Sequence, residues 1–166
     1  MDEAARQARN AQRMSTLFPT FAKRVKRVIR RLEQAGLRPR IQDAWRSPEE
    51  QLAAFDSGHS KLKFGFHNVT GADGRPEALA VDLLDDNAPL NPARPYILQL
   101  AAAAEAEGLT TGVRWGLPIA LGSGIDMAIE TQDWRATVKV GWDPLHVEPT
   151  EISVGEAKAG KRPRDT

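Results

Sequence analysis

The sequence feature that most constrains the fold is the almost wholly apolar run at residues 78–84, Ala-Leu-Ala-Val-Asp-Leu-Leu, which carries one carboxylate, Asp82. A short apolar run that follows a turn-rich segment is typical of a buried strand. A carboxylate in such a strand is destabilised by loss of hydration unless a metal ion or an arginine neutralises it. The run therefore predicts a buried strand with Asp82 in a polar site; a surface-facing or salt-bridged Asp at the strand end is the alternative.

The segments around this run predict helices and short strands without regular alternation. Apolar residues recur at helical spacing after Pro19, and Ser47, Pro48 and Glu50 form a helix-capping signature. We predict helices at 19–35, 48–55 and 92–107, and strands at 40–46, 78–84, 134–140 and 145–148. This pattern favours an α+β domain with a small, mainly antiparallel sheet flanked by helices.

Both ends of the chain are polar. Residues 1–18 predict a polar helical leader that is at most weakly docked, and residues 150–166 predict a loose polar tail. The intervening residues 19–149 would form one functional domain. A chain of 166 residues is long enough to bury a sizeable core as a single domain, and we expect a monomer.

Composition restricts the chemistry that the chain can perform. There is no cysteine and there are three histidines, so a transition-metal site would have to use His, Asp or Glu. Lys and Arg number 23 against 22 acidic residues, which gives no reason to expect a nucleic-acid partner. The opening residues lack the apolar core of a signal peptide. We therefore expect synthesis in the cytoplasm, with export by another route.

The helix predicted over 21–35 has one strongly basic face. Its cations include Lys23, Lys26, Arg27 and Arg30. An anionic cell-wall or membrane surface is a reasonable partner for such a face. A solvated helix face is the simpler alternative.

Two histidines and two aspartates could build a hydrolytic site. His67 precedes a turn-rich segment and His146 follows the Asp143-Pro144 turn, so both lie at element edges, where sites are commonly built. Two imidazoles and the Asp82 carboxylate would leave the fourth position of a zinc ion open for water. Asp143 could then move the water's proton as an uncoordinated base. Taken singly, each residue also has a structural explanation in packing, at the surface or in a turn.

Four segments together resemble a known family, the zinc D-alanyl-D-alanine carboxypeptidases of vancomycin resistance and the phage L-alanyl-D-glutamate endopeptidases. The resemblance covers about residues 19–149. The segments are WRSPEEQ at 45–51, GFH at 65–67, ALAVD at 78–82 and GWDPLHVE at 141–148.

The resemblance implies a fold of the D,D-peptidase/hedgehog type and assigns a role to each matching residue. His67, Asp82 and His146 would be the Zn²⁺ ligands, and Asp143 the general base. Arg46 would bind the substrate carbonyl and stabilise the oxyanion, a role that suits a fixed guanidinium. The alternative for Arg46 is an ordinary ion pair with Asp43 or Glu49.

Several neighbouring residues are further candidates. Glu148 shares a strand face with His146 and could support that ligand, contact substrate or form a structural ion pair. Trp115 and Trp142 could line the cleft or belong to the core, and Ser47 is another possible support or substrate contact. His59 lies outside the matching segments, and we interpret it as a surface residue.

The chain departs from the common family pattern between His67 and Asp82. Members of the family usually have a short Gly-containing loop there, whereas this chain has the longer segment 68–77, as some phage-type members do, and Ala78 stands where Gly is often found. We expect this segment to lie beside the metal and to reshape the cleft.

The resemblance implies that the substrate is the peptidoglycan stem peptide. The longer loop favours an L-alanyl-D-glutamate endopeptidase acting as a phage or prophage endolysin, released to the periplasm by a holin. The alternatives are a D-alanyl-D-alanine carboxypeptidase and a non-catalytic wall-binding module.

Overall fold

The structure is a computed structural model that describes residues 1–166 and contains six helices and four strands. None of the helices is long and apolar enough to cross a membrane. The helices are α1 Glu3–Met14, α2 Pro19–Gln34, α3 Pro48–Asp56, α4 Arg94–Ala106, α5 Ile119–Glu130 and α6 Val154–Lys158. The strands are β1 Pro39–Asp43, β2 Val81–Asp85, β3 Leu109–Gly112 and β4 Asp143–Pro149.

The four strands form one open sheet in the order β1-β2-β4-β3, and every neighbouring pair is antiparallel. The predicted α+β class with a small antiparallel sheet flanked by helices is confirmed. The two central strands are β2 and β4, in which Asp82 lies directly opposite His146. The sheet register therefore brings together two residues that are far apart in the sequence.

The apolar face of α2 packs on the sheet and forms the main core. Phe21, Val25 and Val28 of this helix are fully buried with Ile41 of β1 and Leu83 of β2. Burial of each such side chain contributes about 1.5–3 kcal/mol. A smaller second cluster lies between α4, α5 and the chain after β3; its buried members are Ile97, Leu98, Ala101, Val113, Ile125 and Ala128.

The segment 134–140 differs from its prediction as a strand. Trp134, Ala136 and Val138 do alternate with exposed residues, and they pack against the second cluster. No neighbouring strand pairs with them, so the segment is irregular. The sequence prediction also omitted β3 and α5, which flank the Gly/Trp-rich segment around Trp115.

Both ends of the chain are well packed, in contrast to the looseness expected from their polar composition. Helix α1 buries Arg6 and Asn10. The Asn10 side chain donates to the Pro39 carbonyl at 3.1 Å and accepts from the Ile41 N–H at 2.8 Å, which satisfies the backbone of the edge strand β1. At the other end Ile152 and Ala157 are buried. The boundaries placed after residues 18 and 149 stay predictions.

Four of the six cations of α2 are paired within the chain, whereas Lys26 and Arg30 are exposed and form no ion pair. Arg27 and Arg31 both contact the Glu107 carboxylate, and Lys23 contacts Asp165 at 2.8 Å. Arg24 is buried and pairs with Glu151 at 2.8 Å. The face therefore carries less free charge than the sequence suggests, and its contact with an anionic surface stays a prediction.

Candidate metal centre

His67 is held by the backbone on the β1 side of the sheet. It lies in a short 3₁₀ turn, Phe66–Asn68, anchored by the buried Phe66 side chain. The ring Nδ1 lies 2.5 Å from the Ala44 carbonyl, which fixes Nδ1 as the protonated nitrogen. The other nitrogen, Nε2, lies 3.5 Å from Asp82 Oδ2 and is available as a ligand.

His146 contacts the other oxygen of the same carboxylate. Its Nδ1 lies 3.3 Å from Asp82 Oδ1, and its Nε2 lies 2.8 Å from Glu148 Oε2. A carboxylate on the second ring nitrogen is the usual means by which proteins orient a metal-binding imidazole. The predicted contact of Glu148 with His146 is thus present in the structure.

The three side chains meet the requirements of a metal centre. The ligand atoms of His67, Asp82 and His146 all lie within 4.8 Å of one another, and no other group of three or more such side chains in the chain converges in this way. Two imidazole nitrogens and one carboxylate oxygen suit Zn²⁺ and leave coordination positions open. The predicted residues therefore fit a metal ion.

The electrostatics of the cluster are dominated by mutual pairing. Burial acts to raise the pKa of Asp82, but hydrogen bonds from His146 and His67 outweigh it and hold this pKa far below its usual range. Burial acts to lower the pKa of His146, but Asp82 and Glu148 outweigh it and raise the pKa to about 9. The site thus strongly favours a positive charge between its carboxylates.

Asp143 differs from the other carboxylates of the site because it is not engaged. It lies at the start of β4, is partly buried, and its side chain makes no hydrogen bond or ion pair in the structure. Burial raises the pKa of this carboxyl; His146 opposes the shift and the negative charge of Asp82 adds to it. A free carboxylate with a raised pKa has the properties of a general base.

Two glycines allow the backbone of Asp143 to lie where it does. A Cβ at Gly112 would come within 2.1 Å of the Asp143 carbonyl oxygen, and one at Gly141 within 2.5 Å of the Gly112 oxygen. The register of β3 against β4 shifts at the same place. The close packing of these two backbones therefore fixes the position of the Asp143 Cα.

Arg46 is held at the opposite side of the centre. Its Nη2 donates to Asp43 at 2.8 Å and its Nη1 to the Gln51 amide oxygen at 3.2 Å, and its backbone N–H donates to the His67 carbonyl. The predicted ion pair with Asp43 is present, and Arg46 still lines the cleft. An ion pair and a substrate-binding role are therefore compatible here.

All these side chains line one cleft of about 430 Å³. Its walls include the three clustered residues, Asp143, Arg46 and Glu148, together with Trp115 and Trp142. A larger, basic cavity of about 890 Å³ lies between α2 and the C-terminal segment, and none of the candidate site residues lines it. The chemistry that the sequence predicts is thus concentrated in the smaller cleft.

Two expectations about the surroundings of the cleft differ from the structure. Ser47 does not line it, since the Ser47 hydroxyl caps α3 by accepting from the Glu50 N–H at 3.1 Å. Of the segment 68–77, Asn68 lines the cleft but residues 69–77 do not, and Arg162 holds these through Glu77 at 2.7 Å and the Thr70 carbonyl. Apart from Asn68, the segment expected to reshape the cleft therefore lies away from it, and His59 lies outside the cleft as expected.

The wall on the α3 side is instead built by residues that the sequence prediction passed over. Ser60, Lys61 and Leu62 line the cleft. The buried Gln51 donates to the Ser60 hydroxyl at 2.8 Å and the Leu62 carbonyl at 2.7 Å. Gln51 was part of the WRSPEEQ motif, so its presence there was a usable signal, whereas nothing in the local sequence marks Lys61.

Comparison with known proteins finds a solved structure with a similar fold. No family model matches the chain, and no curated protein matches it significantly. Among solved structures, the L-Ala D-Glu endopeptidase ChiX of Serratia marcescens is similar, with a TM-score of 0.52 and 18% sequence identity over 86% of this chain and 87% of that one. At this level of identity the likeness shows a shared fold.

Proposed function

We propose that this chain is a zinc peptidase that hydrolyses a peptide bond of the peptidoglycan stem. The observation that carries the proposal is the arrangement of side chains in the cleft. His67, Asp82 and His146 converge, while the Asp143 carboxylate in the same cleft has no hydrogen-bond or ion-pair partner. The fold shared with an L-Ala D-Glu endopeptidase supports the same class of substrate.

The proposed roles of the residues agree with their positions in the cleft. Zinc, when bound by His67, Asp82 and His146, supplies Lewis-acid activation of a water and of the scissile carbonyl. The Asp143 carboxylate takes a proton from the attacking water and delivers it to the leaving nitrogen, so that the C–N bond breaks to a carboxylate and an amine. The guanidinium of Arg46 binds the carbonyl oxygen as negative charge develops on it. Glu148 holds His146 by accepting from Nε2–H.

Within this class we favour cleavage between L-alanine and D-glutamate, the bond named for the structurally similar protein. We also propose that the enzyme serves as a phage or prophage endolysin that reaches the wall after release by a holin. Cleavage of the terminal D-alanine is the alternative product, and wall binding without turnover is the alternative activity.

Purified peptidoglycan incubated with the zinc-loaded protein tests the proposal. Mass spectrometry of the released termini should show new N-terminal D-glutamate, and a chelator should abolish its appearance, with zinc restoring it. Release of free D-alanine would identify the carboxypeptidase instead. Binding to the wall with no new termini in the presence of zinc would contradict the enzyme altogether.

A further inference from the structure

An aromatic shelf, formed by Trp115 and Trp142, stands beside the metal centre. The two indole centroids lie 5.3 Å apart, and the Trp115 ring lies 5.4 Å from the His146 ring. Trp142 is 72% exposed although both rings line the cleft. Trp is highly buried on average in folded chains, so an exposed indole at the edge of a cleft indicates a binding surface.

The backbones of the two tryptophans are joined. The main-chain N–H of Trp142 donates to the main-chain carbonyl of Trp115 at 3.2 Å. Trp142 also lies against Gly116, which has a φ of 78°, and a Cβ there would come within 3.0 Å of Trp142 Cδ1. The contact with Gly116 limits the rotamers open to the Trp142 indole, so less conformational entropy is lost when a ligand covers its free face.

The shelf lies on one side of the metal centre and the cations lie on the other. The sheet order β1-β2-β4-β3 puts the Arg46 side next to β1, whereas Trp115 follows β3 at the opposite edge. No Lys or Arg side chain stacks on either indole. The two indole planes are tilted by 46° to each other, so the flat face on offer is that of the exposed Trp142 indole, and it suits an uncharged flat ligand.

A pyranose ring has the matching chemistry. One face of such a ring presents C–H groups with a small positive charge, and the face of an indole is the negative part of its quadrupole. We propose that the Trp115–Trp142 shelf binds the N-acetylhexosamine ring to which the stem peptide is attached. This inference rests on the proposed function, since it takes peptidoglycan as the substrate, and it adds a sugar subsite to the peptide site.

The position of the sugar in the substrate agrees with the favoured bond. In peptidoglycan the L-alanine of the stem is attached directly to the muramyl sugar, so the L-Ala–D-Glu bond lies one residue from that ring. The terminal D-alanine bond lies farther along the stem, by roughly 10 Å of extended chain. A sugar subsite next to the metal centre therefore suits the endopeptidase and not the carboxypeptidase.

Two substrates that differ only in the sugar test the subsite. One carries an N-acetylmuramyl group on the L-Ala-D-Glu peptide, and the other an N-acetyl group. The sugar should raise kcat/KM by about tenfold, which corresponds to about 1.4 kcal/mol. Trp142→Leu should remove this preference, and Trp142→Phe, which keeps an aromatic face, should retain most of it. Met127→Ala is the control because Met127 is 60% exposed but lies outside the cleft.

A saccharide without any peptide separates this inference from the proposed function. The chain has four Trp residues, so the indole N–H signals of Trp45 and Trp134 serve as internal controls in an NMR titration with the disaccharide of N-acetylglucosamine and N-acetylmuramic acid. The signals of Trp115 and Trp142 should shift selectively.

The outcomes of the two experiments are distinct. Selective shifts without hydrolysis of any substrate would contradict the peptidase and support the sugar subsite. Zinc-dependent hydrolysis without selective shifts would contradict the sugar subsite alone. An equal fall in kcat/KM on both substrates in Trp142→Leu would do the same.

Discussion

At the scale of single residues, the site depends on keeping one carboxylate out of the metal cluster. Asp82 is engaged by both imidazoles and Glu148 by one, whereas Asp143 has neither a hydrogen bond nor an ion pair. Because these carboxylates share one cleft, their contacts and not their residue type assign their roles.

Asp143→Asn should separate catalysis from metal binding. The amide keeps the size of the side chain but cannot accept the proton, so we expect kcat to fall by about 10²–10⁴-fold. Zinc content, measured by mass spectrometry of the native protein, should stay near one per chain. Asp56→Asn, at an exposed position outside the cleft, should leave both quantities unchanged. Unchanged hydrolysis in Asp143→Asn would remove this residue from the mechanism.

Protonation of His146 should make the affinity for zinc dependent on pH up to about pH 9. In zinc-free protein its pKa of about 9, raised above the usual value of 6.5 by Asp82 and Glu148, keeps the ring protonated at pH 7. Zinc must displace that proton, so its apparent affinity should rise from pH 7 to pH 9 and then level off. The pairing also stabilises the zinc-free fold, fully below pH 6.5 and progressively less as the pH rises through 9.

NMR titration of the zinc-free protein measures this pKa directly. In Glu148→Gln the titration midpoint of His146 should move toward 6.5, because one of the two groups that raise it is lost. A His146 midpoint near 6.5 in the unaltered chain would contradict the paired arrangement.

At the scale of elements, the parts of the fold that carry strong local signals could be predicted from sequence. The capping box of α3 and the apolar face of α2 are such signals, and both are present in the structure. β3 is only four residues long, and α5 contains Gly122, Ser123 and Gly124, which are poor helix formers, so neither has a clear pattern. Residues 134–140 alternate like a strand, but pairing depends on a distant partner that local sequence does not reveal.

The residues of the candidate site that lie in local sequence motifs could likewise be predicted, whereas those that depend on tertiary contacts could not. His67, Asp82 and His146 lie within recognisable motifs. The β2–β4 register then places Asp82 opposite His146, and the turn Phe66–Asn68 brings His67 beside them. The α3-side wall, with Lys61, depends on the tertiary contact of Gln51 with residues 60 and 62. Such a contact joins a helix to a loop and leaves no periodic trace in the sequence.

Gly112→Ala should damage the contact between β3 and β4 that positions Asp143. The added Cβ would lie 2.1 Å from the Asp143 carbonyl oxygen, so the strands must separate. We expect a loss of about 1–3 kcal/mol in the free energy of unfolding, as for other overpacked sites, and a fall in kcat. Urea unfolding and peptidase assays check the two effects.

Gly155→Ala is the matched control for that substitution. The nearest atom to a Cβ at Gly155 is 3.9 Å away, an ordinary contact, and the residue lies in helix α6. Since Ala is the better helix former, the substitution should be neutral or stabilising by up to about 1 kcal/mol. Equal effects of the two substitutions would show that the close approach at Gly112 is unimportant.

At the scale of the whole molecule, the two chain ends form contacts that join the sheet, helix α2 and the long loop. Asn10 of α1 covers the edge of β1, and Glu151 and Arg162 of the C-terminal segment reach Arg24 of α2 and Glu77 in the long loop. Val154 in this segment also lines the cleft. The C-terminal segment thus joins the main core, the long loop and the site.

Removal of residues 150–166 should therefore destabilise the whole domain. Arg24 is 3% exposed, and its Nη2 contacts the Glu151 carboxylate at 2.8 Å and the Arg164 carbonyl at 2.9 Å. The truncation removes these partners and the buried side chains of Ile152 and Ala157, and we expect a loss of about 1.5–3 kcal/mol in the free energy of unfolding from Ile152 alone, measured with urea. Removal of residues 165–166 alone is the control, because it keeps both partners of Arg24 and breaks only the exposed Lys23–Asp165 pair and a hydrogen bond to Arg27. Equal stability of the long truncation and the full chain would instead support a loose tail beyond residue 149.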